Sequence, residues 1–327
     1  MDWSKGYVSS CYATYVDPVT WGDTERFDII SGSVSRTSTE LRQSAELECP
    51  TYEMNTERWI RVYLDARQND EVTHVPLFTG LATSPTVDIN GVVTSQKVKC
   101  YSVLKPAQDI LLPLGWYVPV GANGVEMIRN LLNTLKAPID PVGEAPIITR
   151  NIIAEGNETR LTMVSKVLDA MGWMMRITGD GTIQLLEPPK DVSIICDPAE
   201  NDIVEPSLSI SNDWFECPNV YRATMDDVSA TVKDDDAIAR RGREVWLEND
   251  VSALAEGMSL AEYARRALEN AQKVEETASY TRRFEPATNV GDIVRMRYEQ
   301  INGDFRITSQ KFSLGLGQAI AEEVERL

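Results

Sequence analysis

This chain has little of the chemistry that enzymes use most often. It contains a single histidine, His74, in 327 residues, and it lacks both the Lys-Ser/Thr of a phosphate loop and the spacing of a metal site. His74 lies in a predicted strand, with no Gly-x-Ser-x-Gly elbow or papain-like cysteine context elsewhere. A general base needs a nucleophile and an orienting partner. The sequence therefore predicts a structural histidine, with no catalytic residue, metal or cofactor.

Paired cysteines and long apolar runs are also missing. The five cysteines are irregularly spaced and include no Cys-x-x-Cys pair, so neither a zinc site nor a disulfide framework is indicated. No run approaches the roughly 20 apolar residues of a membrane span, and the N-terminus lacks the charged and apolar stretches of a signal peptide. We expect reduced thiols, synthesis in a cytoplasm and no membrane span.

Basic residues are outnumbered by acidic ones. The chain has 32 Lys and Arg against 50 Asp and Glu, a formal net charge of −18. Because a phosphate backbone is bound by clustered basic side chains, direct or sequence-specific contact with nucleic acid is not expected. An acidic surface also repels a second copy, so self-association would need apolar or well-matched polar interfaces.

Strand patterns dominate the first hundred residues. Ile60, Val62, Leu64 and Ala66 alternate with polar residues, as in a half-buried strand. The dipeptide Asn90-Gly91 is a strong signal for a hairpin turn. The predicted strands are Cys11 to Val16, Asp28 to Ser35, Ser44 to Cys49, Trp59 to Arg67, Val72 to Ser84 and Val92 to Val103.

The middle third changes to a helical period. Asn123 and Glu126 have capping-box spacing, which predicts a helix that ends before Pro138. A second helix is predicted from about Thr159 to Met171, with Gly172 as its stop. The turn Gly179-Asp-Gly181 lies between two strand-like segments and predicts a β-hairpin.

Strands return after about Pro206, interrupted by one helix. Ser259 and Glu262 have capping-box spacing at its start. Asn302-Gly303 predicts a turn, and the tail Ala319 to Leu327 suits either a helix or a closing strand. The predicted strands are Leu208 to Asn212, Val220 to Met225, Val228 to Val232, Thr277 to Phe284, Asp292 to Tyr298 and Phe305 to Leu314.

Together these elements predict an α+β, mainly β protein. Short, closely spaced strands are typical of barrels or sandwiches, and the length of 327 residues indicates two or three domains. We predict β-barrel domains at residues 1–104 and 206–327, and a helix-and-hairpin module at residues 105–205.

One short region combines the acidic and basic clusters of the chain. Its acidic run lacks the glycine and the distal glutamate of an EF-hand, which favours a solvated loop over a calcium site. We expect residues 226–243 to form a mobile loop or extended hairpin that a neighbouring subunit or a tube protein orders. The candidate partner-contact residues are Asp234, Asp235, Asp236, Arg240, Arg241 and Arg243.

The order of these segments resembles the baseplate hub proteins of tailed bacteriophages, a family related to the spike-base domain of type VI secretion. The likeness spans nearly the whole chain. It is carried by Ser31 to Arg36, Leu41 to Leu47, Val75 to Gly80, Glu158 to Trp173 with the Gly179-Asp-Gly181 hairpin, Asp213 to Tyr221, the helix Ala261 to Ala271, Asn289 to Val294 and Asp304 to Ile307.

This resemblance implies a structural protein of the virion tail baseplate. It implies a homotrimer in which each chain supplies two tube-type barrels, so that a ring of six barrels adapts a sixfold tail tube to a threefold spike or tip. The partners it implies are a tail tube or distal tail protein, a spike or tip protein, a tape measure protein and other baseplate proteins. It carries over no catalytic residue.

Two other classes of protein stay open from the residues alone. A cell-wall hydrolase would need a cleft with a perturbed carboxylate, or a nucleophile in contact with a base. A carbohydrate-binding β-module would show tryptophans exposed on one face of a sheet.

Overall fold

The computed structural model describes most of the chain. The residues that it describes are 1–327 without 4, 40, 51–56, 84–85, 91–92, 198–202, 204–207, 212–214, 216, 226, 252–253, 255–257, 273–275 and 316–318.

The first part of the chain forms strands, as predicted. The predicted strand from Asp28 to Ser35 is divided, because β2 ends at Asp28 and β3 begins at Ser31. β7 and β8 pair antiparallel up to Asn90 and Val93, while Gly91 of the predicted turn lies outside the described residues. The strands are β1 (Val8–Val16), β2 (Asp23–Asp28), β3 (Ser31–Thr37), β4 (Gln43–Cys49), β5 (Arg58–Gln68), β6 (Glu71–Ala82), β7 (Thr86–Asn90) and β8 (Val93–Ser102).

The middle part contains the predicted helices and hairpin. The Asn123 side chain caps α2 by accepting from the Glu126 N–H at 3.1 Å, and Gly172 ends α3 with φ 66°. The elements are α1 (Lys105–Asp109), β9 (Tyr117–Val118), α2 (Gly124–Leu131), β10 (Ile139–Val142), β11 (Ile152–Ile153), α3 (Arg160–Met171), β12 (Met174–Ile177), β13 (Ile183–Leu186) and β14 (Val192–Cys196).

The last part returns to strands and includes the predicted helix α5. Ser259 Oγ accepts from the Glu262 N–H at 3.2 Å at the start of that helix, and the tail is a strand. The elements are β15 (Ser209–Ser211), β16 (Val220–Met225), β17 (Val228–Lys233), α4 (Asp235–Arg241), β18 (Trp246–Asp250), α5 (Leu260–Gln272), β19 (Thr277–Arg283), β20 (Ile293–Arg297), β21 (Asn302–Leu314) and β22 (Ala319–Arg326).

The turn predicted at Asn302-Gly303 is wrong, because both residues belong to β21. Tyr298 and Ile301 exchange backbone hydrogen bonds at 3.1 Å, which places the turn at residues 299–300. Both flanking side chains are buried. Burial of this pair sets the register of the hairpin and overrides the local turn preference of Asn-Gly.

Strands from the two ends of the chain share one 14-stranded sheet. Its order is β15-β19-β22-β21-β3-β4-β8-β6-β5-β1-β2, with β20 and β14 attached at β21 and β7 at β8. The two ends meet where β3 pairs antiparallel with β21. Among the described residues this strand order is open at β15 and β2, so the predicted pair of closed barrels is not found there.

The hydrophobic core also joins the two ends of the chain. Phe284, Phe312 and Ile320, from the last strands of the chain, pack in one cluster with residues of the first strands, such as Val34 and Phe78. A second cluster lies beneath α2 and α3. A third lies under β19 to β22, and α5 packs on the small sheet β17-β16-β18 to form a fourth.

The β12–β13 hairpin of the middle part contacts both ends of the chain. Its turn lies against β6, where Thr79 Oγ1 donates to the Gly179 carbonyl at 2.8 Å. A Cβ atom on Gly179 would come within 1.8 Å of the Pro76 carbonyl oxygen. On the other side, Arg176 forms an ion pair with Asp292 at 3.0 Å. Gly179 and Asp292 both belong to the segments that carry the family resemblance.

Candidate functional site and interaction surfaces

All but one of the predicted partner-contact residues belong to a capped helix rather than a loop, and Arg243 follows the C-cap of that helix. Asp234 is the N-cap of α4, and its Oδ1 accepts from the Ala237 N–H at 2.9 Å. This hydrogen bond is the main cause that lowers the pKa of Asp234 below its ordinary value. The prediction of a mobile loop or extended hairpin over residues 226–243 is thus corrected for the acidic run, because capping gives that run a helical structure. The residues before it form β17, which pairs antiparallel with β16.

The charges of this region complement the dipole of α4. Asp235 and Asp236 lie in the first turn, and Arg240 and Arg241 lie in the last. Negative charge at the N-terminus and positive charge at the C-terminus both stabilise a short helix. Asp235, Asp236 and Arg240 are exposed, so they remain accessible to another protein. Their role in a partner contact stays a prediction.

Two of the predicted arginines hold the chain that precedes β16. Arg241 donates to the carbonyl oxygens of Phe215 and Cys217, the former at 3.0 Å. Arg243 also donates to the Phe215 carbonyl, and its guanidinium lies 4.1 Å from the centroid of the Phe215 ring. Trp214, which belongs to the same family-like segment, lies outside the described residues. These contacts assign both arginines a structural role within the chain.

An exposed tryptophan beside this helix was not singled out by the sequence. Trp246 begins β18 and is 42% exposed. The Arg222 guanidinium lies 4.7 Å from its ring centroid and the Lys233 ammonium 5.5 Å. Tryptophan and arginine are enriched at the energetic centres of protein interfaces. No pattern in the sequence marks Trp246 as a contact residue. It becomes a candidate from its exposed place in the small sheet, next to β16.

The middle part of the chain exposes a second surface, here called the apolar ribbon. It consists of residues 111–124 and 146–159, which run antiparallel and include the Tyr117–Ile153 pair of β9 and β11. Residues 111–124 contain no charged side chain. The exposed apolar residues of the ribbon are Leu111, Leu114, Tyr117, Val120, Ile147 and Ile153. An apolar surface of this kind is typical of a protein contact.

A buried polar cluster lies where the two ends of the chain meet. Glu322 accepts from Arg282, Tyr280 and Gln310 inside the sheet. Arg36 of β3 is also buried, and it donates to the carbonyl oxygens of Thr288 and Leu77 at 3.3 and 3.2 Å. Burial, followed by the nearby Arg176 charge, lowers the pKa of Arg36 to about 10. This cluster holds strands together.

The histidine and the cysteines, which are the remaining candidates for catalysis, have the surroundings of structural residues. His74 Nδ1 lies 2.6 Å from Asp65 Oδ1 on the neighbouring strand, and its side chain is 59% exposed. The five cysteines form no disulfide. Burial raises the pKa of the Cys49 thiol to about 11 and that of Cys100 further, which makes both thiols weak nucleophiles.

The described residues also bear on metal binding and on insertion into a membrane. Within those residues, no group of three or more His, Cys, Asp or Glu side chains is arranged to hold a metal ion. Of the helices described, none combines the length and apolar character needed to cross a membrane.

The fold is similar to those of solved tail proteins. The 43 kDa tail protein of prophage MuSo2 from Shewanella oneidensis matches with a TM-score of 0.70 at 13% identity, over 98% of both chains. A tail protein from Neisseria meningitidis MC58 matches with a TM-score of 0.71 at 14% identity, over 98% of this chain and 97% of that one.

A third match extends the likeness to type VI secretion. The Escherichia coli c3393 protein, described as a type VI secretion component structurally similar to tail proteins of bacteriophage T4, has a TM-score of 0.50 at 9% identity. The match covers 91% of this chain and 73% of that one. No family model and no curated protein matches this sequence. The resemblance noted from the sequence is thereby confirmed at the level of the fold: this chain has the fold of solved prophage tail proteins, which a component of type VI secretion shares.

Proposed function

We propose that this chain is a structural baseplate hub of a phage tail or related contractile particle. The observation that carries the proposal is the fold similarity to the Shewanella prophage tail protein, which extends over 98% of both chains. Because the match extends over nearly the full length of both proteins, the two folds share the relative arrangement of their sheets and helices as well as the individual elements. Its place in the particle is the virion tail, after synthesis in the host cytoplasm.

The proposed assembly is a homotrimer in which residues 1–104 and 206–327 supply two tube-type units per chain, each built from strands of the shared sheet. Three chains then present six similar units, which match a sixfold tube on one side and a threefold spike or tip on the other. The shared β3–β21 pairing supports this role, because it joins the two units of one chain into a single sheet. The middle module, residues 105–205, lies outside the ring.

The proposed partners follow from the same assembly. A tail tube or distal tail protein and a spike or tip protein contact the two ends of the ring, and a tape measure protein reaches it through the tube. Other baseplate proteins contact the outside, where the apolar ribbon and the Trp246 surface offer the chemistry of protein interfaces.

Several contacts favour a structural role over catalysis. His74 contacts Asp65 in a cross-strand pair, and the buried carboxylate Glu322 is neutralised by Arg282. Glu322 thus holds strands together, His74 lies in an exposed contact with Asp65, and the proposal assigns no catalytic residue.

Light scattering coupled to size exclusion, at low and high ionic strength, tests the assembly. The expected mass is three times the 36.5 kDa of the chain. Each copy carries a formal charge of −18, so added salt should screen repulsion and leave the trimer equally or more stable. A monomer at micromolar concentration in both buffers would contradict the trimer and the adaptor role that depends on it.

A further inference from the structure

A row of polar side chains crosses five strands of the large sheet on the face that packs on the core. Cross-strand pairing places Arg36 of β3 between Gln43 of β4 and Gln310 of β21. Gln310 lies beside Glu322 of β22, which lies beside Tyr280 of β19. All five residues are at most 4% exposed. We call them the polar row, and it passes through the β3–β21 pairing that joins the two ends of the chain.

The polar row has apolar neighbours. Val34 and Phe312 form the next cross-strand pair on the same face, and both are fully buried in the cluster that the two ends of the chain share. The Arg36 guanidinium lies 4.6 Å from the centroid of the Phe312 ring. A polar atom buried in such surroundings costs free energy unless it is hydrogen-bonded. Each polar atom of the row therefore needs a partner.

The polar row has unpaired atoms at the point where the two ends of the chain meet. Three buried side-chain atoms there have no hydrogen-bond partner among the described residues, namely Arg36 Nε, Gln43 Oε1 and Gln310 Oε1. The arginine nitrogen is a donor, and the two amide oxygens are acceptors. One donor and two acceptors are thus left over on three neighbouring strands.

These three side chains cannot turn to pair with one another, because their other polar atoms are engaged. Gln310 Nε2 donates to Glu322 Oε1 at 2.7 Å, and Gln43 Nε2 donates to the Ile177 carbonyl oxygen. Both terminal nitrogens of Arg36 donate to backbone carbonyl oxygens. Reversal of either amide would place its oxygen against these acceptors, so the hydrogen bonds fix which atom is the oxygen.

The chemistry of the three unpaired atoms selects the ligand. A cation would be repelled by the charge of Arg36, and an anion would meet the oxygens of Gln43 and Gln310. A neutral ligand that offers two donors and one acceptor satisfies all three atoms. Water is such a ligand, and a buried water typically makes about three hydrogen bonds to polar groups of this kind.

We propose that the polar row binds an internal water molecule at the β3–β21 pairing. The water accepts from Arg36 Nε and donates to Gln43 Oε1 and Gln310 Oε1. Its partners belong to β3, β4 and β21, so the site is complete only when both ends of the chain have joined. The site lies within a single chain, and it does not depend on the proposed assembly.

Nuclear magnetic resonance of the full chain tests this site without any substitution. Isotopically labelled arginine makes each Nε–H visible, and cross-relaxation with water is recorded in the laboratory frame and in the rotating frame. A bound water gives cross-peaks of opposite sign in the two experiments, whereas exchange of the N–H proton with solvent gives the same sign in both. Arg282 is the matched control, because its Nε is also buried in the sheet but donates to Glu322 at 2.8 Å.

We expect cross-peaks of opposite sign at the Arg36 Nε–H and none at the Arg282 Nε–H. Absence of cross-peaks at Arg36 would overturn the proposal, because its Nε would then have a partner within the protein. Equal cross-peaks at both arginines would also overturn it, because water would then penetrate the sheet generally instead of occupying this site.

Crystals of the chain soaked in bromide test the identity of the ligand. Density within hydrogen-bond distance of Arg36 Nε and both glutamine oxygens, without anomalous scattering from bromide, would support water. An anomalous peak beside Arg36 would show that the site takes an anion, which would contradict the proposal. Density that contacts Arg36 but neither Gln43 nor Gln310 would contradict it as well.

Discussion

Arg282 and Glu322 form a two-fold hydrogen-bonded ion pair inside the sheet, between β19 and β22. Arg282 Nε lies 2.8 Å from Glu322 Oε2, and its Nη2 lies 2.9 Å from Oε1. The two side chains are 4% and 0% exposed. Tyr280 and Gln310 donate to the same carboxylate, each at 2.7 Å. Both charges are therefore removed from water and depend on each other and on these neighbours.

Removal of one partner of this ion pair should destabilise the folded chain. We expect Glu322→Ala to lower the free energy of unfolding by about 3–5 kcal/mol, because the Arg282 charge would stay buried without a counterion. Urea unfolding followed by circular dichroism measures the change. Glu322→Gln, which keeps an acceptor for hydrogen bonds, should lose less than Glu322→Ala.

The matched control for this prediction is Glu269→Ala on α5. Glu269 pairs with Arg265, and both side chains are more than half exposed. Exposed ion pairs of this kind contribute little to the free energy of unfolding, because water and salt screen them. An equal loss of stability in Glu269→Ala and Glu322→Ala would show that burial of the pair is not the cause.

Gly179 should tolerate no side chain. Its Cβ position is 1.8 Å from the backbone oxygen of Pro76, so Gly179→Ala would push the β12–β13 turn away from β6. We expect a loss of about 1–3 kcal/mol or more, as for other overpacked sites, measured by thermal unfolding. Gly156→Ala is the control, since no atom lies within 4 Å of its Cβ position. A similar loss in both variants would contradict the explanation.

The N-cap of α4 should contribute to the free energy of unfolding by an amount that depends on pH. We expect Asp234→Ala to cost about 1 kcal/mol at pH 7, as for other N-cap residues. Because the pKa of Asp234 is lowered in the folded chain, this contribution is present above the ordinary aspartate pKa of about 3.9. It is lost as the pH falls below that value and through the folded pKa.

Urea unfolding of the unsubstituted chain and of Asp234→Ala, at pH 7 and in acid, checks this sign. The difference between the two proteins should shrink in acid. Asp234→Asn keeps an acceptor that does not titrate, so it should retain most of the cap at both pH values. A difference that grows in acid would contradict the assignment.

The acidic end of α4 remains the predicted partner contact. Asp235 and Asp236 are exposed, so Asp235→Lys and Asp236→Lys should fold while weakening association with the neighbouring tail protein. Charge reversal at an interface mainly slows association and changes its dependence on salt. Surface plasmon resonance against a candidate tube protein measures both effects, and Glu269→Lys serves as the control. Unchanged association in all three variants would remove these residues from the interface.

His74→Ala should change little. The histidine is more than half exposed, and substitutions at such positions usually alter stability by no more than about 0.5 kcal/mol. The trimer fraction, measured by light scattering, should equal that of the unsubstituted chain. Loss of a hydrolytic activity in this variant would instead reveal a catalytic role.

Local signals in the sequence predicted local structure well. The spacing of Asn123 and Glu126 located the start of α2, and Gly172 located the end of α3, because caps depend on residues a few positions apart. Period-2 alternation located β5, because it too is a pattern among residues close together in the sequence. Asp234 was missed as a cap, since three consecutive aspartates were interpreted as a solvated loop.

Long-range pairings could not be predicted from these patterns. The pairing of Arg36 with Gln310 joins residues far apart in sequence, and nothing in either strand identifies its partner. The parallel pairing of β14 with β20 is a similar case. The exposed ribbon around Tyr117 was also missed, because an apolar residue indicates burial unless the neighbouring strand is known.

The β3–β21 pairing also has a consequence for synthesis of the chain. β3 ends at Thr37 and β21 begins at Asn302, so a ribosome must synthesise and release the whole intervening segment before this pair can form. Until then β3 has an unpaired edge, and the first cluster of apolar side chains lacks Phe284, Phe312 and Ile320. Non-local contacts of this kind slow folding and expose the incomplete sheet to aggregation. Completion of the sheet therefore comes long after synthesis of the N-terminal strands, and a chain truncated before β21 would leave those strands without their last neighbour.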